Sequence, residues 1–418
     1  MQNPENNIPS VWKNKEFRAL IFLRFSLIFA LFVQSTSVAF EIFRLTHQEI
    51  YLGLIGLFEF SPILFTAFYA GQLVDKKDKQ KMVKWCIAAY MLTSFVLMII
   101  NFPGVQEKVG IFMYLSVCYF AFFILGLTRA FSTPAVFSLL ARVVRRENYE
   151  KAIPINSSAF MIGAVTGPLA GGLLLASVGI EATLFIAFLM MCISMIAIFR
   201  ISSKPPEPSV LNSEETPMQR IKEGLKFIWS TPIILAVLSL DMFAVFFGGA
   251  ESMLPAVVEK VLNGGSVEFG WLRSAHGIGA LTMMLTISAI PIFRARVGPK
   301  LLGSVAGFGL CIIIFGLSKN FYLSFVILMI GGAFDAISVI IRQSILQYKT
   351  PENLKGRISS VNSIFVSSSN ELGAFESGVA ASLLGLVPSI VFGGGMTILV
   401  VIIIAWKIKA IRSVKLNE

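Results

Sequence analysis

Seven ionisable side chains stand in stretches that are otherwise apolar: Glu59, Arg129, Asp241, Asp335, Arg342, Glu371 and Glu376. The last two acids share SSSNELGAFESG, residues 367–378, with Asn370. A charge placed in hydrocarbon is costly, so it must be paired, hydrated or put to use. Two roles are open to each acid. It can take up and release a proton as the chain changes conformation, which couples that change to a proton gradient. Alternatively it is held permanently by an arginine or by Ser and Asn hydrogen bonds. Helical phase separates some of them. Asp335 and Arg342 are seven residues apart and share one helix face. Asn362, Ser369, Gly373 and Glu376 form one polar stripe, and Ser360, Ser367, Glu371 and Gly378 form another. Glu371 and Glu376 therefore point about 140° apart on a helix, which predicts different jobs for the two. Arg24 sits only a few residues inside its span and is expected to snorkel outward. Histidine occurs twice, at His47 and His276, and His276 is expected to pack or hydrogen-bond. No metal-ligand spacing, nucleophile elbow or phosphate loop is present, so the sequence predicts no catalytic residue, metal or cofactor, and a chain that is not an enzyme.

The elements that must hold these residues are membrane spans. Of 418 residues, 56% are hydrophobic and 14% charged, with a mean hydropathy of +0.77. A soluble domain carries about 25% charged residues. Cys86, Cys118, Cys192 and Cys311 are scattered singly in apolar runs and read as small buried hydrophobes. The pattern predicts an all-α membrane protein with twelve spans, at about 18–43, 50–73, 82–102, 111–140, 152–178, 181–200, 232–260, 268–293, 300–318, 321–348, 357–386 and 388–407. The basic segments DKKDKQK, RVVRRENYEK, RARVGPK and KTPENLKGR follow the second, fourth, eighth and tenth spans. Few Lys or Arg lie in the opposite loops. This asymmetry places both termini and the basic loops in the cytoplasm. It also accounts for the net charge of +11 without nucleic acid.

The chain divides as 1–200, a first six-helix bundle; 201–231, a cytoplasmic linker; and 232–418, a second six-helix bundle. The linker begins Pro-rich and continues as MQRIKEGLKFIW, where Met218, Ile221, Leu225 and Ile228 recur at helical spacing. That spacing predicts an amphipathic helix on the membrane surface. The two bundles repeat one another. With an offset near 206, Asn156 falls on Asn362, Gly167 on Gly373, Gly172 on Gly378, and Arg129 on Asp335. Six spans return each half to its starting side, so the repeats are parallel, related by a pseudo-two-fold axis normal to the membrane.

Two motifs carry a family resemblance. GQLVDKKDKQKMV, residues 71–83, joins the second and third spans, with Gly71 expected to permit close helix approach and Asp75 to cap the next helix. It resembles the loop signature of the major facilitator superfamily at Gly71, Leu73, Asp75, Lys76 and Lys79, whereas Asp78 stands where that signature has Gly. In the family this loop latches the cytoplasmic side. GAVTGPLAGG, with Gly163, Gly167, Pro168, Gly171 and Gly172, resembles the superfamily's antiporter motif, which is associated with exporters. Its glycines would each weaken a helix by about 1 kcal/mol and are expected to form a flat packing surface. NKEFRALIFLRF, the segment around Arg129 and SNELGAFESG look like the siderophore (enterobactin) exporter branch, whose neighbours include macrolide and multidrug pumps.

The resemblance implies a bacterial inner-membrane secondary transporter, monomeric, working by alternating access and exporting an amphiphilic small molecule against inward proton flow. Its partners would be that substrate, protons and the bilayer. A siderophore-like substrate comes first and a macrolide or other drug second. A non-transporting membrane receptor or scaffold is the alternative of another class, and the charges in the spans argue against it.

Overall fold

The computed structural model describes residues 11–102, 104–205, 217–289 and 297–414. Among them no residue is in a strand. The first long helices are α1 (Lys15–Thr46), α2 (Glu49–Lys76) and α3 (Lys79–Ile100), followed by a short α4 (Val105–Val109) and then α5 (Ile111–Val143). α6 (Tyr149–Phe199) is long enough for two crossings, and Gly179 breaks it with φ 78° and ψ 175°. That left-handed φ suits glycine and lets the chain turn back. Next come α7 (Pro217–Ser230), α8 (Pro232–Phe247), α9 (Leu254–Lys260), α10 (Ser266–Ala289), α11 (Val297–Leu317), α12 (Phe321–Lys349), α13 (Lys355–Leu384) and α14 (Leu386–Lys407).

Nine stretches of the described residues are long and apolar enough to cross a membrane. One of them, Arg146–Phe199, contains the break at Gly179. α10 and α13 have 24 and 30 residues, also enough to cross, but carry more polar side chains. Twelve crossings are consistent with this arrangement. The span expected over 232–260 is not one helix. A 3-10 turn over Gly249–Met253 separates α8 from α9, because two consecutive glycines, Gly248 and Gly249, interrupt the apolar run. Irregular backbone at membrane depth is tolerated where protein or a wet cavity surrounds it.

The chain forms two compact units, residues 1–38 with 61–213, and residues 39–60 with 214–418. In the first, α6 packs on α1 through glycines one turn apart. A Cβ on Gly163 would lie 3.1 Å from the Phe25 carbonyl oxygen, one on Gly167 only 2.6 Å from Phe32 Cβ, and one on Gly171 3.1 Å from the Val33 carbonyl oxygen. Pro168 and Gly172 are buried in the same helix. The antiporter-like stretch is thus the packing surface that its composition predicts. Ser26 and Ser194 hydroxyls join α1 to the second half of α6 at 2.7 Å. The linker's first residues are fixed as well. Ser202 N–H donates to Glu16 at 2.9 Å, Lys204 Nζ pairs with Glu16, and Arg142 donates to the Pro205 carbonyl at 3.0 Å.

In the second unit one core gathers Phe43, Leu52, Met253, Leu254, Phe269, Leu272 and Phe315. A second surrounds Val237, Leu240, Leu301, Ile341 and Ile345. α7 is the amphipathic helix that the spacing predicts, and part of its apolar face has protein partners. Its Ile228 is buried with Ile358 and Val361 of α13 and Leu346 of α12, and Glu223 pairs with Arg357. Leu225 packs against the same cluster. Protein covers this end of the apolar face, where Gly224 lets α13 come within 3.3 Å of where a Cβ would be. The side chains of Met218 and Ile221 lie outside the described residues.

The repeat read from sequence has a structural counterpart. A Cβ on Gly167 would meet the Phe29 carbonyl at 3.0 Å, and one on Gly373 the Phe246 carbonyl at 2.7 Å. Each repeat thus packs this glycine against its own first helix, α1 or α8. Asn156 and Asn362 match too, each with a buried Oδ1 that has no hydrogen-bond partner among the described residues.

Candidate functional site

In the second unit, His276 of α10 stands between two carboxylates. Its Nδ1 is 2.7 Å from Glu251 Oε1, and its Nε2 is 3.4 Å from Asp335 Oδ2. Three local features assemble the trio. The 3-10 turn between α8 and α9 presents Glu251. Gly332 brings α12 so close to α10 that a Cβ there would lie 2.0 Å from the His276 carbonyl oxygen. Asp335 follows Gly332 by three residues, one turn along α12, and so reaches the imidazole. Phe308 contacts the ring edge-on at a centroid distance of 6.1 Å. The Glu251 side chain is 45% accessible, so it faces open space.

The surrounding charges form a wider network. Arg273, one turn before His276, is within electrostatic reach of Glu251, Glu59 and Glu371. Asp241 and Arg342 form a separate buried ion pair between α8 and α12, with Arg342 only 4% exposed. A small pocket lined by Asp241, Val245, Phe308, Asp335 and Ser338 lies between that pair and the His276 trio. An imidazole with one proton donates to one carboxylate, and with two protons it donates to both. The proton count of the trio therefore sets how many of its contacts hold.

Comparison with known proteins bears on this arrangement. The family model described as transmembrane secretion effector, MFS_3, matches residues 11–417. The chain belongs to that family. It is a transporter of the major facilitator superfamily. The enterobactin exporter EntS of Shigella boydii serotype 4 (strain Sb227) is 26% identical over 355 residues, covering 84% of this chain and 82% of that protein. EntS of Escherichia coli (strain SE11) gives the same figures. A D-xylose-proton symporter structure has a TM-score of 0.70 at 14% identity, covering 96% of this chain and 98% of that one. A bacterial homologue of the lysosomal transporter Spinster has a TM-score of 0.68 at 14% identity, covering 94% and 95%. These structures share the fold of this transporter.

The residues expected from sequence divide into groups. Asp335 joins His276; Glu59 and Glu371 lie in the field of Arg273; Asp241 holds Arg342. Glu376 is half-buried and has no hydrogen bond or ion pair among the described residues, so the two acids of α13 do have different surroundings. Arg129 belongs to the first unit and is exposed. The sequence reading missed Glu251. Its signal was the FFGGAES break, two glycines inside an apolar run followed by an acid. His276 does hydrogen-bond, but to two acids at once.

The loop signature is built differently from expectation. Asp78, not Asp75, caps α3, accepting from the Lys81 N–H at 2.9 Å. Asp75 lies within α2, and its side chain lies outside the described residues. Asp78 also accepts from the Ser203 hydroxyl. Burial raises its pKa, but the hydrogen bonds from Ser203 and Lys81 outweigh that and hold the carboxyl below its usual range. Among the described residues nothing lies within 4 Å of a Cβ built on Gly71, so none of the described helices packs closely there. Lys76 is exposed, whereas Lys79 is buried with its ammonium on the Val74 carbonyl, closing the α2–α3 turn.

Proposed function

We propose that this transporter exports a siderophore-like amphiphilic small molecule in exchange for protons, by alternating access of two six-helix bundles, residues 1–200 and 232–418. In this reading it works as a monomer in the bacterial inner membrane, with both termini cytoplasmic. The observation that carries the coupling is His276 held between Glu251 and Asp335. A group that bridges two acids on separate elements, the turn after α8 and α12, can tie proton binding to the contacts between them. Export and substrate class are supported by the relatives named enterobactin exporter and by the Gly163–Gly172 stretch.

The test is transport by purified protein in liposomes with an imposed pH gradient, offering enterobactin and erythromycin. Gradient-driven movement of enterobactin alone is expected. Movement of erythromycin as well would reassign the protein to multidrug efflux. Movement of enterobactin that ignores the gradient would remove proton coupling.

A further inference from the structure

The first unit contains a partly buried cation that the coupling network does not use. Arg24 of α1 stacks its guanidinium on the Phe160 ring of α6, 4.9 Å from the centroid. It does not snorkel outward as its position suggested, because the glycine-rich packing of α6 on α1 holds Phe160 against it. Its Nε is buried without a hydrogen-bond partner, and the guanidinium makes no hydrogen bond or ion pair among the described residues. Asn156, one turn before Phe160 on the same face, has an equally unpartnered Oδ1. The Tyr90 hydroxyl, 2.9 Å from Ser132 Oγ, is within electrostatic range of Arg24.

The repeat shows why this is unusual. Phe29 and Phe246 meet equivalent glycines, Gly167 and Gly373. Five residues before each phenylalanine stand Arg24 and Asp241. The two positions are counterparts with opposite charge. Asp241 is neutralised by Arg342. Along α5 and α12, where the repeat offset is near 206, the counterpart of Arg342 is the uncharged Val136, whereas Arg24 and Asp241 are 217 apart because the linker lies between the repeats. A cation in hydrocarbon without an anion is costly.

We infer that Arg24 and Phe160 form a binding subsite for an anionic oxygen pair carried on an aromatic ring, such as an aromatic carboxylate or an ionised catechol. The planar guanidinium fork matches two neighbouring oxygens. An aromatic ring on the bound molecule would add a cation–π contact of the kind Phe160 already makes. Asn156 and Tyr90 supply polar atoms at the edge. The subsite rests on the transporter reading, since it would hold one end of the exported molecule.

Equilibrium dialysis of the purified full chain in detergent, without any gradient, tests binding apart from coupling. The probes are 2-naphthoate and its neutral isostere 2-naphthamide. Wild type should prefer the naphthoate. Arg24→Gln should weaken naphthoate by about tenfold or more, the range for a charged hydrogen bond, and leave naphthamide within about twofold. Arg24→Lys should fall between, keeping the charge and losing the fork. Equal binding of both probes by wild type, or parallel loss of both in Arg24→Gln, would overturn the subsite. Should Arg24→Gln fail to elute as a single species on size exclusion, the wild-type preference and the Lys variant decide. Because no gradient is present, loss of pH-driven flux would sink the coupling proposal and leave this one standing.

Discussion

At the residue scale, two groups make opposite use of hydrogen bonds. His276 has two carboxylate partners and can satisfy both only with two protons. His276→Gln keeps a donor and an acceptor but cannot change its proton count. It should cut pH-gradient-driven uptake by at least about tenfold, the lower range for a group that transfers a proton, while gradient-free substrate exchange persists. Loss of both in parallel would reduce His276 to a packing role. Asp78 is the contrasting case, a cap outside the spans. Its carboxyl is held below its usual range, so the stability it contributes is present at neutral pH and is lost as pH falls through that lowered value. Asp78→Ala should cost about 1 kcal/mol at pH 7 through the lost α3 cap. The gap in melting temperature from wild type should narrow on acidification toward pH 3, as followed by scanning fluorimetry.

At the element scale, glycine sets which helices touch and therefore which charges meet. A methyl on Gly332 would press on the His276 carbonyl oxygen, and one on Gly279 would lie 1.7 Å from the Met329 carbonyl oxygen. Gly332→Ala must push α10 and α12 apart. It should destabilise by about 1–3 kcal/mol, the range for overpacking, and separate Asp335 from His276. Measured together, melting temperature and pH-driven transport should both fall. Transport unchanged at a lowered melting temperature would show that the Asp335 contact is dispensable. The packing glycines of α6 were legible in sequence, since repeated Gly at i, i+4 and i+8 in an apolar run has few other uses. So were the spans, the repeat and most of the intramembrane charges. What was not legible depended on partners distant in sequence. Glu251 is framed by a helix break whose depth only the fold reveals. Asp78 replaced Asp75 as the cap because α2 runs on to Lys76. The packing of α7 on α13 depends on Gly224, whose close approach to Arg357 and Val361 only the fold reveals.

At the scale of the whole molecule, the proposed alternating access would require some present contacts to open. Residues 39–60 belong to the second compact unit, although the proposed bundles assign them to the first. They are held there by specific contacts. Lys260 pairs with Glu49 at 2.7 Å and donates to the His47 carbonyl at 2.9 Å, while His47 Nδ1 lies 2.8 Å from Glu259. Deeper, α2 and α13 touch backbone to backbone. A Cβ on Gly53 would lie 2.9 Å from Gly378 Cα, and one on Gly56 2.5 Å from the Glu371 carbonyl oxygen. Glycine on both sides makes a seam that closes tightly without locking side chains together, which suits a contact that must break and reform. If exchange of bundles opens this seam, a covalent tie across it must stop transport. In a background with Cys86, Cys118, Cys192 and Cys311 replaced by Ala, Lys260→Cys with Glu49→Cys places two thiols where an ion pair now joins the start of α2 to the end of α9, beside that seam. Oxidation should abolish transport and dithiothreitol should restore it. Undiminished transport in a fully cross-linked sample, verified by electrophoresis, would mean that residues 39–60 travel with the second unit throughout the cycle. The moving boundary would then lie within α1 and α2 themselves.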